Sequence, residues 1–358
     1  MKKIIKRILL GIIVGVVLLL FLSKVNHEIR LKHESEELQK IETSEMIETN
    51  DGIVHADIKE ASYAEDTIVF MHGLGMGDTT IAGKPMLMPF EGKHNLFIMD
   101  RLGNGLSDDT SEAQTVEKIV ELYRDALEKT GQKKPYILIA HSISGIYATY
   151  WAQLYPEEIK AIIFLDADPL EYYTQEGEID KLSLLVGKCE YLLADTGLQR
   201  FFVSDETLLG QAENQAFTED ENRWRKYLMY HNTFSKATYS EMKLYYENAQ
   251  MVLSRNTKLT IPQLYIEAND VQGKYYDDIY ASVLAERYDG DEKKIKEKRM
   301  ARIQILEEKK EYMKKRGNIE IVELSGPHSI YEYDPEGVAD TIENFLEKVQ
   351  KHEKLQEG

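Results

Sequence analysis

Short apolar runs recur along the chain from about residue 45, and stretches with amphipathic helical spacing separate them. An apolar run without alternation is typical of a strand buried on both faces, as strands of parallel sheets are. Such runs alternating with amphipathic stretches predict a parallel sheet covered by helices. The clearest predicted strands are 67–71, 95–99, 136–140, 161–165, 263–266 and 319–324. We therefore predict the α/β class, with a mostly parallel sheet flanked by helices.

Two segments interrupt this rhythm, residues 171–256 and 272–317, and both are far longer than ordinary loops. The first carries aromatic and apolar clusters, which predict a helical cap inserted after the sixth strand. The second is rich in Lys and Glu and predicts one or two charged surface helices within the core. The core itself is then 45–170 and 257–350. No solenoid repeat and no Pro- or Gly-rich linker is visible, so we predict one domain with a lid.

The N-terminus begins with a cluster of Lys and Arg residues and continues with fifteen residues, Ile8 to Leu22, that have no charged or polar side chain. Fifteen helical residues span about 22 Å, against about 30 Å for a bilayer core. No pair of small residues suited to signal peptidase follows Leu22. We therefore predict an uncleaved membrane anchor at 1–23, with a cytoplasmic N-terminus and the catalytic part outside. Secretion after cleavage is the alternative.

Residues 24–44 are strongly polar and predict a helical or flexible stalk. The formal net charge of −18 argues against binding to nucleic acid, because such binding needs clustered positive charge. The chain has one cysteine, Cys189, and no Cys/His cluster with metal-ligand spacing. We expect neither a metal nor an organic cofactor, and the sequence identifies no protein partner.

Ser142 lies between the predicted strand 136–140 and a predicted helix, in the segment Ala140-His-Ser-Ile-Ser-Gly145. A nucleophile elbow needs small residues two positions before and after its serine, and Ala140 and Ser144 meet that need. The alternative is a serine that caps the following helix. The pattern makes Ser142 the candidate nucleophile.

The loop after the strand 67–71 reads His72-Gly-Leu-Gly75. A loop at this place can direct backbone N–H groups at a developing oxyanion. We predict that the amides of Leu74 and Ile143 form an oxyanion hole, with His72 and Gly73 in support. A glycine-rich turn without chemistry is the alternative.

The next predicted strand is followed by Asp100-Arg-Leu-Gly-Asn-Gly-Leu-Ser107. His-Gly, this Asp-Arg-x-Gly-x-Gly-x-Ser motif, the serine elbow and Leu154-Tyr-Pro156 occur in an order that resembles the α/β-hydrolase superfamily, in its serine-nucleophile branch. The resemblance covers roughly residues 50–170 and 258–348. It implies the α/β-hydrolase fold, with Asp100 as a supporting residue of the site.

The resemblance also implies the rest of a catalytic triad. His328 follows the last predicted strand, where the superfamily has its general base, and a histidine pKa suits proton transfer near neutral pH. The acid is expected after the strand that follows the cap, which makes Asp270 the first choice. Asp166 and Asp168 are the reserve candidates. His141 is expected to pack under the elbow.

The function predicted from these residues is acyl transfer to water, most simply hydrolysis of a carboxylic ester, thioester or lipid ester. The substrate is a small-molecule or lipid-like ester, and an anchored enzyme makes a lysophospholipid a candidate. A serine peptidase or aminopeptidase of the same fold is one alternative, and a catalytically silent binding protein is another. Residues 272–317 are either a solvated helical face or a docking site for a partner.

Overall fold

The computed structural model describes residues 2–41, 43–209 and 216–357. At its centre is an eight-stranded sheet with the order β1-β2-β4-β3-β5-β6-β7-β8. The strands are β1 Ser44–Glu48, β2 Ile53–Lys59, β3 Thr67–Met71, β4 Asn95–Met99, β5 Tyr136–His141, β6 Ile159–Leu165, β7 Gln263–Asn269 and β8 Ile319–Ser325. The β1–β2 and β2–β4 pairs are antiparallel, and the other pairs are parallel. The predicted, mostly parallel sheet is confirmed.

The continuous apolar runs are explained by burial on both faces of the sheet. Val69 and Leu138 pack into the hydrophobic cluster on one face. Their neighbours Ile68 and Ile139 pack into the cluster on the other face. Successive strand residues point to opposite faces, so both sets must be apolar when both faces are covered.

Helices cover the two faces. The helices that pack on the core are α2 Thr79–Ala82, α3 Lys84–Leu87, α4 Val116–Lys129, α5 Ser144–Leu154, α15 Ile330–Tyr333 and α16 Pro335–Glu357, and short 3₁₀ helices occupy Met88–Phe90 and Pro156–Glu158. Buried residues of α4 and α5 belong to the first cluster. Buried residues of α3 and α16 belong to the second. The sheet is thus the middle layer of three.

The cap follows β6, the sixth strand, as predicted. Its helices are α6 Leu170–Glu176, α7 Lys181–Asp195, α8 Gln199–Phe202, α9 Asp205–Leu209, α10 Glu219–His231 and α11 Lys236–Ser254. The start of α10 is fixed by a capping box between Thr218 and Glu221. Helix α11 packs on α5, α6 and α7, so it joins the cap to the core.

The charged segment between β7 and β8 is helical. It contains α12 Gly273–Tyr275, a π-helical turn at Tyr276–Tyr280, α13 Ala281–Arg287 and the long α14 Glu292–Lys314. Helix α14 buries Leu306, Lys309 and Met313, so one of its faces packs on the protein. It contacts β7 and β8 beside the carboxyl ends of the strands.

The N-terminal helix α1 runs without a break from Lys2 to Leu38. The described residues contain one helix long and apolar enough to cross a membrane, and it is this one. Its apolar residues are exposed, which fits either an anchor or a signal sequence. The predicted stalk, residues 24–44, is helical as far as Leu38, and this helical part packs on the cap through buried His27 and Glu34. The sequence pattern could not show this packing, since the partners lie in the cap.

Candidate active site

Ser142 is in the left-handed backbone region, with φ of 55°, at the junction of β5 and α5. A non-glycine residue held there stores about 1–3 kcal/mol of strain, and such strain is common at functional sites. The turn is tight: a Cβ atom added at Gly145 would come within 2.8 Å of the Ala167 side chain. The junction therefore needs small residues, and it leaves the Ser142 side chain partly exposed.

His328 lies in the loop after β8, and its Nδ1 atom is 2.6 Å from the Oδ2 atom of Asp166. Asp166 follows β6 directly, and the backbone N–H of Ala268 donates to its Oδ1 atom at 3.0 Å. The carboxylate is buried, whereas 53% of the His328 side chain is exposed. A carboxylate at Nδ1 holds the proton there, so Nε2 presents its lone pair.

Asp166 and His328 perturb each other's pKa. Burial opposes ionisation of Asp166, but the hydrogen bonds from His328 and from the Ala268 amide still lower its pKa. Partial desolvation of the imidazole by its neighbours opposes protonation of His328, yet the bond to Asp166 and the charges of Asp166 and Asp168 raise its pKa. The pair thus favours a charged carboxylate next to a histidine that accepts a proton readily.

The preference for Asp270 as the acid is not supported by its position. The Asp270 Oδ1 atom accepts from Arg302 Nε at 3.0 Å, and its partner is therefore on α14. Strand β7 continues to Asn269, which carries Asp270 past the end of the sheet. The reserve candidate Asp166 occupies the position beside His328, while Asp168 forms an ion pair with Lys309.

The loop after β3 runs beside the nucleophile. A Cβ atom added at Gly73 would lie 3.3 Å from the Ser142 Cβ and 2.8 Å from the His141 Nδ1. Only glycine fits at this position. The backbone of the next residue, Leu74, is thereby held close to Ser142, which suits the predicted role of its amide.

Arg101 is buried and joins this loop to the cap. Its Nη2 atom donates to the Gly73 carbonyl at 3.2 Å, and its Nη1 atom donates to the His72 carbonyl at 2.8 Å. Glu241 of α11 accepts two bonds from the same guanidinium, at 3.0 and 2.8 Å. The Gly73 carbonyl and the Leu74 N–H belong to one peptide plane. Arg101 therefore fixes the direction of that N–H.

Arg101 had no predicted role, although it follows Asp100 in the Asp-Arg-x-Gly-x-Gly-x-Ser motif. No sequence pattern pointed to a role for Glu241, because it does not differ in sequence context from the other glutamates of the cap helices. Asp100 itself pairs with His55, whose Nδ1 atom is 2.7 Å from Oδ2. Asp100 thus attaches the loop that follows β4 to strand β2, which carries His55.

The two predicted supporting histidines are neutral. Burial and the charge of Arg101 place the pKa of His72 well below its usual value. Its Nδ1 atom lies 2.7 Å from the Gly73 carbonyl, and its Nε2 atom accepts from the Arg101 amide at 3.2 Å. Burial, aided by His328, lowers the pKa of His141 to about 3. The His141 ring packs against the His328 ring at an interplanar angle of 41°, with 4.6 Å between their centroids.

A cavity of about 460 Å³ opens between the loop after β3, the cap and the loop that carries His328. Most of its wall is apolar. Its charged side chains are Asp78, Glu190, Arg225 and Glu332. Arg225 donates to Asp78 at 2.7 Å and to Glu332 at 2.5 Å. Burial raises the pKa of Glu332 to about 7.

Among the described residues, no group of three or more His, Cys, Asp or Glu is arranged to hold a metal.

A family described as alpha/beta hydrolase fold matches residues 66–270, more than half of the chain. The chain belongs to the α/β-hydrolase fold family. This α/β-hydrolase is 28% identical to the uncharacterized protein YbdG of Bacillus subtilis (strain 168) over 295 residues, which cover 82% of this chain and 83% of YbdG.

Solved structures of similar fold have low sequence identity to this α/β-hydrolase. Cfl2 from Burkholderia cenocepacia has a TM-score of 0.58 at 17% identity, with coverage of 84% of this chain and 95% of Cfl2. The enol-lactonase from Burkholderia xenovorans LB400 has a TM-score of 0.55 at 12% identity, with coverage of 84% and 99%. At such identities the likeness shows the fold alone.

Proposed function

We propose that this α/β-hydrolase is a membrane-anchored serine hydrolase that cleaves an ester-like bond through an acyl-enzyme. The observation that carries the proposal is the 2.6 Å contact between His328 and buried Asp166. It is supported by the left-handed backbone of Ser142, with φ of 55°. A hydrogen-bonded acid and base and an activated serine are the parts that serine acyl transfer requires. The acid in this proposal is Asp166, in place of Asp270.

In the reaction, Ser142 Oγ attacks the carbonyl carbon while His328 Nε2 takes the serine proton. Asp166 keeps the imidazole in the required tautomer and stabilises the imidazolium. The amides of Leu74 and Ile143 hold the oxyanion, and one such donor is worth about 2.7–4 kcal/mol. His328 then gives the proton to the leaving alkoxide. A water molecule, deprotonated by the same histidine, releases the acid and restores Ser142.

The mostly apolar wall of the cavity favours the apolar part of an ester substrate. A carboxylic ester, a thioester or a lipid ester fits this description. The enol-lactonase of similar fold is by name an enzyme that opens an ester, which agrees with this class. Anchoring by α1, with its basic N-terminal residues in the cytoplasm, completes the proposal.

A serine aminopeptidase is the second candidate, and a carboxylate of the cavity favours it. Glu190 lines the wall and offers an acceptor for a free amine of a substrate, whereas Glu332 already accepts from Arg225. An ester series and a set of aminoacyl-coumarin amides, measured side by side, separate the two candidates.

The proposal is tested with a fluorophosphonate probe on the full-length protein in detergent. We expect covalent labelling of Ser142, found by mass spectrometry of the labelled peptide, and hydrolysis of p-nitrophenyl esters. Ser142→Ala should lose both without a change in melting temperature, and Ser282→Ala on an exposed helix should lose neither. A folded protein that reacts with neither reagent would favour the silent binding protein.

A further inference from the structure

Helix α7 of the cap carries an apolar face that the rest of the protein leaves open. The residues of this face recur at helical spacing and are exposed: Leu182, Leu185, Val186, Cys189 and Leu192. The next helix, α8, adds Phe201 and Phe202, which are 60% and 76% exposed. Exposed apolar residues grouped on two successive helices are typical of an interaction site. We name these seven residues the outer cap face.

The opposite side of α7 faces the protein. Gly187 packs against α11, since a Cβ atom added there would lie 2.3 Å from the Met242 side chain. Glu190 and Leu193 line the cavity beside the candidate active site. At 3.6 residues per turn, Leu193 shares the side of α7 that carries Leu182 and Val186, and Glu190 lies at the edge of that side. The cavity is therefore next to the outer cap face, and α7 contributes residues to both.

The end of α7 lies beside α1, close to the point where the apolar run of α1 stops. Lys24 pairs with Asp195 at 3.1 Å, and it is two residues beyond Leu22, about 3 Å along the helix axis. Gly197 packs on His27. Further along, Arg200 donates to both oxygens of Glu34 at 2.7 Å. The contacts of Asp195 and Gly197 hold the end of α7 against α1 at the level where α1 would leave a bilayer. The pair of Arg200 and Glu34, about 18 Å beyond Leu22 along the axis, holds α8 against the same helix.

We propose that the outer cap face lies in the surface of a lipid bilayer, next to the anchor helix. The inference rests on the anchoring part of the proposed function. An amphipathic helix whose apolar face is open binds at the boundary of headgroups and acyl chains. Because the same helix walls the cavity, this orientation brings the cavity close to the lipid. The substrate class that follows is an ester that partitions into bilayers.

Cys189 allows a direct test, because it is the only cysteine of the chain and lies in the outer cap face. The full-length protein is labelled there with a nitroxide and reconstituted in dioleoyl phosphatidylcholine vesicles. Spin relaxation is then measured with oxygen, which partitions into lipid, and with a water-soluble nickel complex. The matched control carries Cys189→Ser and Lys298→Cys, which moves the label to an exposed position of α14.

We expect the ratio of oxygen to nickel accessibility to be several-fold higher at position 189 than at position 298. Equal ratios would overturn the inference. Low accessibility to both reagents, together with dipolar coupling between labels, would instead indicate a second copy of the chain on this face and would also overturn it. These readings need no turnover, so they are independent of whether Ser142 is reactive.

A functional measurement follows from the same orientation. The double variant Leu185→Glu, Leu192→Glu changes two exposed side chains and should leave hydrolysis of soluble p-nitrophenyl acetate unchanged. Its hydrolysis of p-nitrophenyl palmitate dissolved in the vesicles should fall several-fold. Leu355→Glu, at an exposed leucine of α16, should change neither rate. Loss of fluorophosphonate labelling in the unmodified protein would reject the serine mechanism, whereas unchanged vesicle activity in the double variant would reject the outer cap face.

Discussion

Asp166→Asn tests the choice of catalytic acid most directly. Asp166 Oδ1 accepts from the Ala268 amide, so the oxygen of an asparagine must take that place. Its NH₂ group then faces His328 Nδ1, which must accept, and the histidine proton moves to Nε2. A histidine in this tautomer cannot take the serine proton. Replacements of this kind in a triad lower kcat by about 10⁴-fold, which is about 5.4 kcal/mol at about 1.36 kcal/mol per tenfold.

The assay is the steady-state hydrolysis of a p-nitrophenyl ester, with thermal unfolding measured in parallel. Asp270→Asn is the matched control, since it removes a partly exposed ion pair with Arg302. It should cost at most about 1 kcal/mol of stability and leave kcat within several-fold. A loss of kcat in Asp270→Asn with a nearly normal Asp166→Asn enzyme would refute the reasoning.

Three further predictions concern the site. Glu241→Gln leaves the buried guanidinium of Arg101 without its counter-charge, so the free energy of unfolding should fall by about 3 kcal/mol in a denaturant titration. The kcat of this variant should fall by a larger factor than its KM changes, because Arg101 is no longer held in place to donate to the Gly73 carbonyl. An unchanged kcat would contradict this. His328 must be neutral to act as base, and its pKa is raised above 6.5, so kcat/KM should rise with pH through an inflection above that value. Asp168→Asn removes one of the charges that raise this pKa and should move the inflection to lower pH, whereas a move to higher pH would contradict the assignment.

The sheet and the cap were predictable because they depend on local patterns. A strand buried on both faces is mostly apolar, and runs such as 68–71 show this without any knowledge of their partners. The candidate nucleophile was predictable for a similar reason. The turn at Ser142 leaves no room for large neighbours. Small adjacent residues such as Gly145 therefore predict the turn from the sequence alone.

Contacts between distant segments were not predictable in this way. Glu241 meets Arg101 across 140 residues of chain, and Arg200 meets Glu34 across 166. Nothing near Glu34 in the sequence distinguishes it from the other charged residues of a polar segment. The segment was therefore predicted only as a helical or flexible stalk, and its packing against the cap is visible only in the structure.

The charged segment 272–317 bears on which carboxylate acts as the catalytic acid, because its helix α14 forms ion pairs with two of the three candidates. The sequence alone did not indicate this. Helix α14 brings Lys309 to Asp168 and Arg302 to Asp270, so two of the three candidate carboxylates already have a cation. In the described part of the chain, neither Lys nor Arg forms an ion pair with Asp166, and its partner is His328. A carboxylate that is not yet paired with a fixed cation gains most from an imidazolium formed during the reaction. If α14 delivered Arg302 to Asp166 instead, that carboxylate would be neutralised before the reaction and would stabilise the charged histidine less.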